Sequence, residues 1–457
     1  MAERGGAAPT ELGTRSIAAL LRSYAVPGIV AMTASSLYNM VDSIFIGHIP
    51  GVGALAISGL AVTFPIMNLG AAVGTLVGVG ASTMVSVLLG QRNYEGARKV
   101  LSNVVTLNTV LGFLFCAGIL VFLDPILRFF GASADTLPFA RDYMMVIMAG
   151  NIITHLYFGL NSLIRASGHP RTAMGLTLFT VTSNALLDPL FIYVFGLGIK
   201  GAALATVLCQ TLALVYTFRF FLDKSRLLHF PKRVFDFDGR IARTSLSIGM
   251  GPFLMNCASC VVALFINQQL LRYGGDLAIG AYGIMNRICF FFIMIVMGFN
   301  QGMQPIAGYN YGARKYSRVR KVYLLTALCA TVVTTLGFVV AEAFPGAAVR
   351  LFTDDPVLHG LAVHALRCGC LVLPLVGMQM VSTNFFQCLG MVRKSIFLSL
   401  SRQLLFLVPL LYTLPGLMGV EGVWYSLPLS DLVMSETYAG VGEDALKAAA
   451  NAIANRG

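Results

Sequence analysis

Charged side chains are scarce in this chain. Asp, Glu, Lys and Arg together make up 11% of its 457 residues, against about 25% in a typical soluble domain. With 57% hydrophobic residues and a mean hydropathy of +0.77, an ordinary soluble enzyme is excluded and a polytopic membrane protein is indicated. Catalytic signatures are missing as well. There is no G-x-x-x-x-G-K-[ST] loop, which a nucleotide-driven pump needs to cradle phosphates. There is also no DDxxD-like cluster for magnesium, because Asp354-Asp355 stands alone in a loop, so a prenyl-diphosphate transferase is disfavoured. The nine cysteines all fall in apolar segments, and Cys257-x-x-Cys260 lacks a second pair or a His at zinc spacing. Packing is their expected role. No enzyme, no resident cofactor and no nucleic-acid partner are expected, since the net charge of +12 sits in short basic loops between apolar runs.

Those runs are long enough to span a bilayer, which takes about 20 mostly apolar residues. Twelve are expected, near 20–46, 55–88, 100–122, 140–163, 173–195, 201–221, 244–271, 279–307, 322–342, 361–388, 396–414 and 420–434. Helices are required, because lipid tolerates no open sheet edge. Pro27, Pro65, Pro305 and Pro374 lie inside spans, and each removes a backbone donor. The polar start, MAERGGAAPTELGTRS, and the lack of a small-residue cleavage site argue against a cleavable signal peptide. Loops on one side carry 24 Lys and Arg against four on the other, so both termini are expected in the cytoplasm.

The chain repeats itself. GQRNYEGARKV at 90–100 and GARKYSRVRKV at 312–322 match at six of eleven positions, at an offset of 222. The same offset pairs Leu55-Ala56-Ile57 with Leu277-Ala278-Ile279, Arg128 with Arg350, and Gly168 and Arg171 with Gly390 and Arg393. A one-residue slip brings Gly198-Ile199-Lys200-Gly201 onto Gly419-Val420-Glu421-Gly422. Two six-span halves follow: 1–221, then a basic linker at 222–243, then 244–434, with a polar Ala-rich tail at 435–457 that reads as foreign to the rest. Six spans are an even number, so the halves form a parallel repeat, an arrangement suited to alternating access.

Polar stripes mark the first half. Residues three and four apart share a helix face, which aligns Ser35, Tyr38, Asn39 and Asp42 on the first span and Thr177, Thr180, Asn184 and Asp188 on the fifth. Thr206, Gln210 and Thr217 align more weakly on the sixth. Isolated hydroxyls can be interhelical glue. A carboxylate inside an apolar run is expensive unless it has a function, so Asp42 and Asp188 are the candidate functional acids. The second half offers amides such as Asn256 and Gln379 as cavity candidates, and no central acid in its first or fourth span. Asp431 is a third intramembrane acid; Arg287 and Arg402 could pair acids, bind anionic substrate or brace the lobes.

Together Pro27, YNMVDSIFIGH, GQRNYEGARKV, IRASGHPR, SNALLDPLFIYVFGLGIKGAA and GYNYGARKYSRVRKV resemble the multidrug and toxic compound extrusion family over about residues 15–433, closest to its MepA-like bacterial branch. The resemblance implies an all-α polytopic membrane protein, twelve transmembrane helices in two six-helix bundles, V-shaped. It implies an inner-membrane antiporter that exports small cationic amphipathic drugs in exchange for H⁺ or Na⁺ and acts as a monomer among membrane lipids. It also places the ion site on Asp42, Asn184, Asp188 and Thr206, with any Na⁺ held by Asp42, Asn184 and Asp188. Neutralisation of the acids is expected to let Pro27 act as the hinge of the first span. A flippase for lipid-linked oligosaccharides is the alternative within the superfamily. That alternative needs several cavity cations, and the spans are poor in them.

Overall fold

The computed structural model describes residues 8–47, 49–130, 132, 134–231, 234–235, 237–351 and 356–435. The described residues are almost entirely helical and contain no strand. Among the described residues, nine helices are each long and apolar enough to cross a membrane, and two bent pairs raise the number to eleven. The twelfth expected span is the helix at 420–435, about 24 Å long at 1.5 Å per residue. The tail beyond Ser435 lies outside the described residues. The chain is an all-α polytopic membrane protein.

Backbone geometry carries the internal repeat further than the sequence does. The fourth span breaks between Ala149 and Asn151 with a 55° bend, and the tenth between Cys370 and Leu373 with a 52° bend. Positive φ angles recur in register at Arg92 (61°) and Arg314 (60°), at Gly168 (98°) and Gly390 (72°), and at Gly198 (55°) and Gly419 (64°). At Arg92 the helix ending in Gly90 closes with Arg92 N donating to Leu89 O (3.1 Å) and Asn93 N to Leu88 O (2.9 Å). At Arg314 the same closure runs from Arg314 N to Tyr311 O (3.0 Å) and from Lys315 N to Asn310 O (2.8 Å). Gly168 and Gly390 end their helices with the same pair of bonds. This helix-ending motif favours glycine, because a Cβ in the left-handed region costs about 1–2 kcal/mol. Both arginines are exposed. Arg92→Gly and Arg314→Gly are therefore each expected to stabilise the protein by about 1 kcal/mol, read as a higher thermal midpoint in detergent; unchanged or lower midpoints would contradict the strain.

Packing divides the chain into two compact units, residues 1–14 with 30–253, and residues 15–29 with 254–457. Two helices belong to both: Ile17–Gly47 changes unit after Ile29, and Gly239–Gly312 after Phe253. Each unit has its own apolar core. In the first it is built on Ile46, Leu127, Met144, Met148 and Ile192; in the second, on Ile266, Leu270, Leu366, Leu411 and Trp424. Close backbone approach explains two glycines. A Cβ at Gly80 would collide with the Ser245 carbonyl in the first unit, and one at its repeat partner Gly302 with the Ala25 backbone in the second.

Candidate functional site

The fifth span runs as an α-helix from Pro170 to Pro189 and continues as a π-helix over Leu190–Val194. Pro189 has no N–H, so the Ala185 carbonyl loses its usual donor and the helix widens just beyond Asp188. Tyr193, on the widened turn, donates from Oη to the Phe45 carbonyl at 2.6 Å, and the two rings meet edge to face. The fifth span is thereby fixed against the first, one turn from Asp42.

Asp42, Asn184 and Asp188 are all buried, Asp188 completely. The carboxyl groups of Asp42 and Asp188 come within hydrogen-bonding reach of each other. Carboxylates only accept, so a bond between them needs a proton on one of the two acids. Asn184 makes the third contact. With its amide nitrogen turned toward Asp188 it donates to Oδ1 at 3.3 Å and Oδ2 at 2.9 Å, while its oxygen accepts from Thr206 Oγ1 (3.2 Å) and N (2.9 Å). This orientation is the one that satisfies both ends of the amide. Asp42 Oδ1 remains enclosed without a hydrogen-bond partner. An unpaired buried oxygen is expensive, and here it leaves the cluster one free acceptor for a proton or a hard cation.

The four residues singled out on three separate helices thus form one cluster, with Asp42 in reach of Asp188 and hydrogen bonds running from Asp188 through Asn184 to Thr206. Sequence reasoning missed the contribution of the fourth span to this cluster. Tyr143 is buried and close enough to interact electrostatically with both acids, yet nothing distinguishes it from the other tyrosines in apolar runs.

The remaining candidates have other partners. Gln210 accepts a hydrogen bond from Thr154 of the fourth span. Thr177 accepts from Asn161 at 3.4 Å, and Thr180 donates to the Thr177 carbonyl at 2.8 Å. Ser35 is half-buried, and the side chains of Tyr38 and Asn39 lie outside the described residues. In the second unit Asn256 is exposed, whereas Gln379 is buried and donates to the Asp431 backbone carbonyl at 2.7 Å. Asp431 itself is paired with Arg402, Oδ1 to Nη1 at 2.8 Å, both side chains mostly enclosed. Of the roles open to Arg402, the structure selects the pairing of an acid. Arg287 is exposed.

The MatE family profile matches residues 27–190 and 251–413, once in each half. The multidrug export protein MepA of Staphylococcus haemolyticus strain JCSC1435 is 29% identical, covering 92% of this chain and 91% of the relative. MepA of Staphylococcus aureus strain N315 is 28% identical over 89% of each. Among solved structures, the MATE multidrug transporter DinF-BH in complex with R6G is 34% identical, with a TM-score of 0.87 over 94% of this chain and 96% of that one. An outward-facing MATE transporter of the MOP superfamily superimposes with a TM-score of 0.91 over 98% of this chain and 99% of that one, at 24% identity, a likeness of fold. With both halves matched and twelve helices in two repeats, the chain belongs to the MatE family of multidrug efflux transporters and is a transporter, not an enzyme.

Proposed function

We propose that the protein is a secondary active antiporter that exports small cationic amphipathic compounds in exchange for a cation bound at Asp42 and Asp188. The observation that carries this reading is the close approach of their carboxyl groups, buried beside an oxygen with no partner. Such a pair can hold a net charge that changes by one, which is what coupling requires. Two carboxyl groups this close can bond only through a proton carried by one of them, so H⁺ is the favoured ion. Na⁺ is the second reading, supported by the oxygen-rich donor set; it would require Asn184 to turn its oxygen inward. The compounds exported are amphipathic cations, for which the DinF-BH complex with R6G provides a precedent in a relative.

In this scheme the filled and empty states of the acid pair select between two conformations, and Pro27 is the point where the first span bends. Pro27 lies two residues before that helix changes packing unit. The alternative of an oligosaccharide-lipid flippase has less support, because Arg402 is already held by Asp431. The protein works as a monomer in the inner membrane among its lipids, with both termini cytoplasmic. The test of transport is ethidium accumulation in inverted vesicles under separately imposed proton and sodium gradients. A proton gradient should drive it; no response to either gradient would defeat antiport. Orientation has its own test, an impermeant maleimide applied outside cells expressing single-cysteine variants. Labelling is expected at Gly51→Cys and not at Asn93→Cys, and the reverse pattern would invert the topology.

A further inference from the structure

The second unit contains a group of three unlike side chains that transport does not use. His364 and Cys368 stand one turn apart on the helix Pro356–Cys370, so they share a face. Glu421 opens the helix at 420–435, just after Gly419 turns the chain at φ 64°. His364 Nε2 lies 2.8 Å from Glu421 Oε2 and 3.6 Å from Cys368 Sγ. One ligand atom from each of the three falls within 4.8 Å of the others. We propose that these residues form a binding site for a borderline-soft divalent metal ion, Zn²⁺ foremost.

The spacing suits the ion. Tetrahedral zinc with bonds to nitrogen, oxygen and sulfur sets its ligand atoms about 3.3–3.6 Å apart, so the His–Cys edge already fits, the His–Glu edge must open by roughly half an ångström, and the Cys–Glu edge lies within 4.8 Å. Imidazole, thiolate and carboxylate together favour zinc over magnesium or calcium, which take oxygen alone. Cys368 is buried, while the side chains of His364 and Glu421 are 47% and 40% exposed, which leaves an entry path and a place for water as fourth ligand. Tyr425, one turn after Glu421, stands beside the Cys368 sulfur, where outer-shell neighbours of metal ligands help to fix them.

The internal repeat supplies an independent argument. The positions equivalent to His364 and Glu421 in the first half are Asp142 and Lys200, an ion pair at 3.2 Å. The position equivalent to Cys368 is Val146. The first half therefore ties the same two helices with a plain salt bridge over an apolar residue. In the second half all three positions carry a metal-ligating type. Binding would displace the Cys368 thiol proton to solvent and clamp the tenth span to the twelfth.

The test titrates the full-length protein, in lipid nanodiscs, with Co²⁺ as a visible substitute for zinc. One saturable equivalent with a thiolate-to-cobalt charge-transfer band is expected, and Zn²⁺ should displace it. Cys368→Val installs the side chain that the first half carries at this place, so the fold should survive while the band disappears. Glu421→Gln should weaken binding by about tenfold or more, and Cys260→Ser should change nothing. A wild-type protein without a saturable thiolate band, or a band that persists unchanged in Cys368→Val, overturns the proposal.

Discussion

Asp42→Asn and Asp188→Asn should each lower gradient-driven ethidium transport to the level of vesicles lacking the protein, while the purified variants remain folded. An asparagine at either place can still donate to the remaining carboxylate, much as a protonated acid does. Stability should therefore change by no more than about 1 kcal/mol, the worth of one neutral hydrogen bond exchanged for another. What each variant loses is one of the two acids between which the exchanged proton is held. A proton entering the pair from outside is driven by about 2.3 kcal/mol per 100 mV of membrane potential, and an amide cannot accept it. Ethidium binding measured by fluorescence should survive, because it depends on the shape of a cavity and not on the exchanged ion. Wild-type transport rates in both folded variants would remove Asp42 and Asp188 from the mechanism.

The second large effect is expected on folding and lies in the other unit. Asp431→Ala removes the carboxylate that lies 2.8 Å from the Arg402 guanidinium, on a side chain that is only 27% exposed. Breaking a fully buried pair from one side costs about 3–5 kcal/mol; partial exposure of Arg402 lowers the expectation to roughly 2–4 kcal/mol. The variant should show a clearly lower thermal midpoint and a lower yield from the membrane. Removing both charges, as in Asp431→Leu with Arg402→Met, should recover most of the loss, since an apolar pair of similar volume is often as stable as the ion pair it replaces. Efflux by the double variant would show that the pair is structural. An Asp431→Ala protein as stable as the wild type would contradict this account, and Asp431 would become a second candidate for coupling.

Much of the architecture could be read from the chain because the bilayer imposes simple rules. The twelve apolar runs coincide with helices, since a backbone in lipid has few other options. Periodicity at three and four residues also nominated Asp42, Asn184 and Asp188, which the fold then brings together. The features that escaped are those that depend on contacts distant in sequence. The Arg402–Asp431 pair joins residues from the eleventh and twelfth spans, and neither residue announces the other. Gln379 looked like a cavity residue because amides are rare in spans, yet its donor is taken up by the Asp431 carbonyl. The bend near Val372 follows from Pro374, whose missing N–H leaves the Cys370 carbonyl without its usual donor, whereas the bend near Gly150 falls where no proline stands. The Tyr143 ring approaches the acids only through the packing of the fourth span.

Arg92 and Arg314 link stability to the way the chain is made. Glycine would suit both helix ends better, as it does at Gly168 and Gly390. The two arginines, however, stand in strongly basic stretches, with Arg98 and Lys99 in the first two turns of the helix after one, and Lys315, Arg318, Arg320 and Lys321 at and within the start of the helix after the other. Positive charge in short loops is what the insertion machinery reads as each helical hairpin leaves the ribosome. Under the proposed topology, a strained turn in the finished protein would serve an earlier event, the decision of which way a hairpin enters the membrane. Exchanging the arginines for glycine would give a sturdier molecule from each correctly inserted chain. It would also weaken a signal that keeps chains from inserting upside down, so heat resistance and the yield of correctly oriented protein should move in opposite directions.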